Sequence, residues 1–208
     1  MKHANFGFYR NYFKRLIDFT LSLIAIILLS PLFLIIAVVI KLDSKGPVLF
    51  IQERAGLNNS KFRIYKFRTM VNNADRLGSG LRTSKNDVRI TKVGNILRKT
   101  SLDEIPQLIN ILKGDMSIVG PRPTVEKVTL QLSKDDLKRH IVRPGITGLA
   151  QVNGRQSLNW AEKIKYDLKY VDHLTFLVDF KILIKTILVV FKQDSVHKEE
   201  ISKEFKNL

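Results

Sequence analysis

Residues 19–40, "FTLSLIAIILLSPLFLIIAVVI", are the longest uncharged stretch of the chain. At about 1.5 Å per residue, this run taken as a helix just crosses a hydrocarbon core of about 30 Å. A membrane-contacting helix is therefore expected. A secretory signal would need a shorter apolar core and a small-residue cleavage site, and neither is present, so the segment is expected to be retained. Pro31 sits in its middle, where it removes a backbone hydrogen bond and crowds the preceding turn, while Ser30 can bond a freed carbonyl. Two geometries satisfy these facts: a re-entrant hairpin of two half-helices broken at Ser30-Pro31, or a kinked helix that still crosses. Arg10, Lys14 and Arg15 precede the run and Lys41 and Lys45 follow it. The positive-inside rule then orients no single crossing and suits a segment that enters and leaves on one side. Phe6, Phe8, Tyr9, Tyr12 and Phe13 read as an interfacial anchor in either geometry.

What remains is enough for one compact domain, and 208 residues are too few for two full ones. Thirty-five Lys and Arg against nineteen Asp and Glu leave a formal charge of +16. That balance draws the chain to phosphate-rich partners: nucleic acid, anionic lipid or nucleotide. The absence of cysteine excludes disulfides, thiolate metal sites and a thiol nucleophile. His3, His140, His173 and His197 show no metal-ligand spacing and read as ordinary surface or loop residues.

"PVLFIQERAG" (47–56) and "KFRIYKFRTM" (61–70) read as strands. In the second, the two-residue period puts Lys66 and Arg68 on the face marked by Phe62 and Ile64, where cations need a partner: phosphate, or solvent at a strand end or bulge. Residues 72–95 are polar and weakly periodic, and predict a loop with a short helix. In "TSLDEIPQLINILKGD" (100–115), Ile105, Leu108, Ile109 and Leu112 make a helical stripe ending at Gly114. Pro106 belongs in the first turn, which puts Asp103 and Glu104 at the helix N-terminus with Ser101 or Asp103 as cap. The helix dipole there favours ionised carboxylates, as a nucleophile or metal ligand requires. A capping box on Ser101 and Glu104 explains the same residues without any chemistry.

"MSIVGPRP" (116–123) and "VRPGITGLAQVNGR" (142–155) alternate rigid prolines with Gly120, Gly145, Gly148 and Gly154, which permit close approach. They carry Arg122, Arg143 and Arg155, each able to grip phosphate oxygens or to serve structure alone. Neither matches the Walker or dinucleotide glycine patterns. A further helix starts near Asn159 with a capping box to Glu162, and its expected stripe is Trp160, Ile164, Leu168 and Val171. Asp167 falls inside that stripe, as a site residue or as half of a salt bridge. "FLVDFKILIKTILVVFK" (176–192) either lies on a membrane surface or packs as a core helix.

In this order and spacing, the basic aromatic lead-in to Ser30-Pro31, "KFRTM", "SLDEIPQLINILKGDMSIVGPRP", "RPGITGLAQVNGR" and "YDLKYV" resemble the bacterial sugar transferase family, the small monotopic phosphoglycosyl transferases. The resemblance runs from about Tyr12 to Phe191. It implies a mixed, helix-rich α/β fold, with an N-terminal re-entrant membrane helix hairpin and a compact cytoplasmic catalytic domain bearing amphipathic interfacial helices. Expected boundaries are 1–45 for the lead-in and membrane helix, 46–192 for the catalytic domain and 193–208 for a polar tail. Larger members carry extra membrane helices and a nucleotide-binding-like domain, so this chain resembles the minimal catalytic form.

The reaction so implied moves a phosphosugar from a nucleotide diphosphate sugar, usually a UDP-sugar, to polyprenyl phosphate at the inner membrane, with release of UMP and use of Mg²⁺. Asp103 would be the nucleophile and Glu104 the metal ligand. Lys66, Arg98, Arg122 and Arg143 would contact phosphate or nucleotide, and Asp167 matches an acidic position of the family's late helix. Pro31 would turn the membrane segment back. Membrane lipid is then a further partner, self-association as a homo-oligomer stays open, and no specific nucleic acid is expected. Two other classes compete: a membrane-tethered nucleic-acid-binding module, supported only by net charge, and an inactive scaffold of glycan assembly.

Overall fold

The computed structural model describes residues 7–74, 87–154 and 157–191. The expected tail at 193–208, Arg155, His3 and His197 lie outside these residues, as does half of the 72–95 segment. The fold is mixed and helix-rich, with short strands.

A π-helical turn, Tyr9–Phe13, leads into α1, Lys14–Asp43, a 30-residue helix with Pro31 inside it. It is long and apolar enough to cross a membrane. Pro31 has no N–H to offer the carbonyl of Ile27, four residues back, and Ser30 Oγ donates to that same carbonyl at 2.8 Å. Leu28 and Leu34, on either side of the proline, are 72% and 68% exposed. Both ends of α1, by contrast, dock on the rest of the protein. Near its start, Asp18 Oδ1 accepts the Ile118 N–H at 3.0 Å. Near its end, Ile36 and Ile40 are buried with Phe67 and Leu97, and Arg68 closes the helix by donating to Ser44 O at 2.6 Å and Lys45 O at 3.1 Å. Arg68 is thus spent on a helix end and not on phosphate.

The two expected strands, β1, Leu49–Ala55, and β2, Lys61–Phe67, pair as an antiparallel hairpin, with Arg54 opposite Phe62, Gln52 opposite Ile64 and Phe50 opposite Lys66. Its turn uses Asn58 and Asn59 at positive φ, which asparagine tolerates. Helix α2, Lys92–Thr100, is capped by Thr91 Oγ1 accepting from Gly94 N. After it, Ser101 turns left-handed (φ 58°) into a 3₁₀ turn, Leu102–Glu104, and then α3, Gln107–Lys113, which ends at Gly114 (φ 90°) as expected.

The buried face of α3 is not the expected stripe. Gln107, Asn110 and Ile111 face inward, while Ile105, Ile109 and Leu112 are only partly covered. Asn110 explains the difference. Its side chain accepts Tyr65 N–H at 3.0 Å and donates to Arg63 O at 2.7 Å, taking the place of a strand beside β2. A buried polar residue of this kind is invisible to a search for apolar periodicity. Leu108 does join the core of Phe62, Ile64, Ile111 and Met116.

Strands β3, Ser117–Val119, and β4, Gly145–Thr147, pair in parallel. The backbones around Gly120 and Gly145 come so close that a Cβ on Gly145 would lie 2.1 Å from Gly120 N, which is why glycine stands at both positions. Short helices α4, Glu126–Thr129, and α5, Leu149–Val152, flank a 3₁₀ segment, Asp136–Ile141. Helix α6, Trp160–Asp172, carries the expected capping box of Asn159 and Glu162. It buries Ile164, Asp167, Tyr170 and Val171, leaving Trp160 exposed beneath the Arg139 guanidinium.

Helix α7, Phe176–Phe191, packs one face into the core and leaves the other exposed. Ile182 enters the core with Val119, Val142, Tyr170 and Val171. Phe176, Leu177, Phe180, Ile184, Ile187 and Leu188 form an exposed apolar face along the other side. His140 is buried, contrary to the surface reading, between Arg139 and the Asn59 side chain.

Candidate functional site

The capping-box reading of Ser101 and Glu104 fails on geometry. The Ser101 side chain makes no cap, and Glu104 turns away from the backbone to take cations. Glu104 Oε1 lies 2.7 Å from Lys66 Nζ. Arg122 makes a two-pronged contact, one prong to Oε1 and the other from Nη1 to Oε2 at 3.2 Å. Burial would raise the Glu104 pKa, but Arg122 and Lys66 outweigh it and hold the carboxyl well below its ordinary range. Burial lowers the Lys66 pKa, opposed by the charge of Glu104.

Asp103 is the opposite case. Among the described residues no hydrogen bond reaches its carboxylate, and burial together with the charge of Glu104 pushes its pKa up to about 6 against the pull of Lys66, Arg98 and Arg122. The dipole argument predicted the reverse shift. It fails because α3 begins only at Gln107 and is seven residues long, so Asp103 sits in a separate 3₁₀ turn rather than on the helix end. Adjacent carboxylates with pKa values driven apart are the usual mark of divided chemical roles.

The surrounding cations come from four elements. Lys66 is supplied by β2, and Arg98 by the last turn of α2, with its Nε on Thr69 Oγ1 at 2.9 Å. Arg122 is held in the Pro121–Pro123 turn after β3. Arg54 from β1 donates to Gln52 Oε1 at 2.6 Å. Its pKa is held down to about 10 by burial and by Arg122, with Glu104 opposing. Arg54 was not picked out from the sequence, although it shares the strand face of Lys66 once the register is known. Arg139 was also missed. It is buried, pairs with Asp167 through Nε at 3.0 Å and Nη2 at 2.7 Å, and donates to Arg122 O at 2.8 Å.

Five of the expected site residues therefore meet: Lys66, Arg98, Asp103, Glu104 and Arg122. Two do not. Asp167 is the carboxylate half of a buried salt bridge, one step behind Arg122. Arg143 donates to Gly114 O at 2.8 Å, at the far end of α3 from the carboxylates, with Arg15 and Asp18 as its charged neighbours.

No cluster of three or more His, Asp or Glu residues suited to a metal occurs among the described residues. The Asp103–Glu104 pair still fits Mg²⁺, a hard cation commonly held by one or two carboxylates plus substrate phosphates. Asp103 offers oxygens that no donor among the described residues occupies. Four cations facing two carboxylates make a site suited to a diphosphate.

The pattern of the bacterial sugar transferase family matches residues 9–193. The chain is 41% identical over 185 residues to the uncharacterized sugar transferase EpsL of Bacillus subtilis (strain 168), a match covering 89% of this chain and 90% of that protein. It is 44% identical over 195 residues to UDP-glucose:undecaprenyl-phosphate glucose-1-phosphate transferase of Klebsiella pneumoniae, covering 89% of this chain and 41% of that protein. It is 43% identical over 185 residues to UDP-N-acetylgalactosamine-undecaprenyl-phosphate N-acetylgalactosaminephosphotransferase of Aeromonas hydrophila, covering 86% and 44% respectively. The chain thus spans less than half the length of these last two relatives.

Proposed function

The chain belongs to the bacterial sugar transferase family, and from that membership we propose that it transfers a phosphosugar from a UDP-sugar to undecaprenyl phosphate, the first membrane step of glycoconjugate assembly. The observation that carries this reading is Asp103, a carboxylate with a raised pKa and no hydrogen bond among the described residues, beside an ion-paired Glu104 and inside a ring of cations.

Asp103 attacks the phosphorus that bears the sugar. A carboxylate oxygen–phosphorus bond forms, the bridging phosphoanhydride bond breaks, and UMP leaves with the electron pair, giving an aspartyl phosphosugar. An oxygen of undecaprenyl phosphate then attacks the same phosphorus, expels the Asp103 carboxylate, and yields undecaprenyl diphosphate sugar. Both steps are phosphoryl transfers in which positioning and charge stabilisation dominate. Lys66, Arg98, Arg122 and Arg54 offset the charge of the diphosphate, and the Pro121–Pro123 turn fixes Arg122. Mg²⁺, held by Glu104 and Asp103 with substrate phosphates, would supply further charge neutralisation at the phosphoryl oxygens.

Residues 1–45 serve as the membrane part and 46–192 as the catalytic part, on the cytoplasmic face of the inner membrane. A re-entrant course for α1 is supported by the docking of both its ends on one body. A straight helix would set Lys14 and Ile40 roughly 39 Å apart. Yet Arg15 bonds the carbonyls of Ile111 and Leu112, while Ile36 and Ile40 pack near Leu102, only nine residues before Ile111. The exposed middle around Pro31 and the apolar face of α7 would then share the bilayer.

The test is UMP release from a panel of UDP-sugars by protein in nanodiscs with Mg²⁺ and undecaprenyl phosphate. Release that requires Asp103, and a phosphosugar adduct on Asp103 when acceptor is withheld, is the expected result. Silence across the panel from folded protein would return the scaffold reading.

A further inference from the structure

At the C-terminal end of α3, a cavity of about 190 Å³ opens among Arg10, Lys14, Arg15, Asp18, Ser117 and Arg143. It is separate from the carboxylate site. The stretch from Glu104 to Leu112 spans roughly 12 Å if helical. Two of its cations are fixed by the same helix end. Arg15 donates to Ile111 O and to Leu112 O, the latter at 2.9 Å, and Arg143 Nε donates to Gly114 O at 2.8 Å. Ile111 O also accepts the Gly114 N–H at 3.0 Å, and the negative end of the helix attracts both guanidinium groups. The two arginines are then close enough to repel each other, and burial and the charge of Arg15 both depress the Arg143 pKa.

Counter-charge within the cavity is short. Lys14 is matched by Asp179 at 2.6 Å. Among the described residues, Asp18, whose Oδ1 already accepts Ile118 N–H, is then the lining carboxylate left beside the adjacent Arg15 and Arg143. An anion with several oxygens would relieve this arrangement. The surroundings narrow its source. Phe13, at the end of the π-helical turn, and Leu16 and Phe19, on the stretch of α1 that supplies Arg15, are exposed. Leu174, in the cavity wall, is followed by exposed Phe176 and Leu177. Basic groups recessed behind a belt of exposed aromatic and aliphatic side chains sit where headgroups meet acyl chains.

We propose that this cavity binds the headgroup phosphate of an anionic bilayer phospholipid, with Arg15 and Arg143 as its donors. The proposal rests on the membrane reading of α1. The headgroup would tie the start of α1 to the end of α3 whose other end leads to Asp103, and so would fix the depth of the carboxylates relative to the bilayer.

The full chain is reconstituted into phosphatidylcholine nanodiscs with and without phosphatidylglycerol, and lipid retained after extraction is counted by native mass spectrometry. The expected result is one phosphatidylglycerol held per chain in preference to phosphatidylcholine. Arg15→Gln and Arg143→Gln should each weaken retention about fivefold. Arg143→Lys, which keeps the charge, should hold most of it, and circular dichroism checks that each variant is folded. Lys185→Gln removes a charge from the exposed part of α7, outside the cavity, and should leave retention unchanged. Equal retention of both lipids, an equal loss in Lys185→Gln, displacement by inorganic phosphate, or retention of undecaprenyl phosphate alone would each overturn the proposal. Failure to enter phosphatidylcholine discs at all would overturn the membrane reading and this one with it; entry without lipid preference overturns this one alone.

Discussion

Arg139 Nη2 donates to the backbone carbonyl of Arg122 at 2.8 Å while the same guanidinium is anchored on Asp167. The backbone of the arginine that grips Glu104 is thereby held by a buried ion pair that does not itself touch the carboxylates. Asp167→Asn strips the buried Arg139 of its counter-charge. A loss of about 3 kcal/mol is expected, as is usual when one partner of a buried pair is removed. Thermal melts read the stability. Kinetics should show a raised KM for the nucleotide sugar with a smaller fall in kcat, because Arg122 loses its support while Asp103 keeps its environment. An unchanged KM would show that Arg139 does not position Arg122.

In the proposed reaction Asp103 would have to be ionised to attack, and its pKa is pushed up to about 6 by burial and by Glu104. The rate should therefore rise with pH through about 6 and level off above it. Stability runs the other way. The folded state holds this proton more tightly than the unfolded one, so the contribution of Asp103 to stability falls as pH rises from about 4 to about 6, by up to about 3 kcal/mol. Asp103→Asn should then abolish turnover yet melt at a higher temperature than the parent at pH 7.5. At pH 4, where the parent carboxyl is protonated, the difference should vanish. A variant that is inactive and less stable at neutral pH would contradict the strained-carboxylate account.

Glu104 is coupled to Lys66 and Arg122. Glu104→Gln leaves Lys66 poorly solvated with only the more distant charge of Asp103, and Lys66→Gln leaves Glu104 ion-paired with Arg122 alone. Each should destabilise the fold, by about 2 kcal/mol for Glu104→Gln and less for Lys66→Gln. The double variant should be more stable than the sum of the two losses implies, with a coupling energy of about 1 to 3 kcal/mol. Denaturant titrations of the four proteins in detergent close the cycle. Strict additivity would mean that the 2.7 Å contact contributes nothing.

Much of this site could be read from the chain because local rules applied where it was built. Strand alternation put Lys66 beside Phe62 and Ile64, and "DEIP" fixed two carboxylates ahead of a short helix. The missed features depend on contacts that no local pattern carries. Gln107 and Asn110 are polar but buried, so the apolar stripe pointed to the wrong face of α3. Arg139 lies in a 3₁₀ segment without periodicity, and its role exists only once Asp167 and Arg122 come to either side of it. Asp167 was legible as a carboxylate on a buried face, and its partner decided between the two readings. Arg143 looked like Arg122, an arginine beside a proline in a glycine-rich turn, and only the pairing of β3 with β4 sends them to different ends of α3.

Pro31 and Ser30 offer the last test. Ser30 Oγ occupies the Ile27 carbonyl that the proline leaves without a donor, so Pro31 is compatible with a low-dielectric surrounding. Pro31→Leu restores the missing N–H and favours a straight helix. The chain has no cysteine, so single cysteines can be placed at Tyr12 and Lys41 without a background. In sealed vesicles, a membrane-impermeant maleimide should label both positions from the same side in the parent. In the Pro31→Leu variant, one of the two should become protected, and the docking of Ile36 and Ile40 on Phe67 and Leu97 should weaken. Labelling of the parent's two ends from opposite sides would make α1 a spanning helix and remove the re-entrant reading.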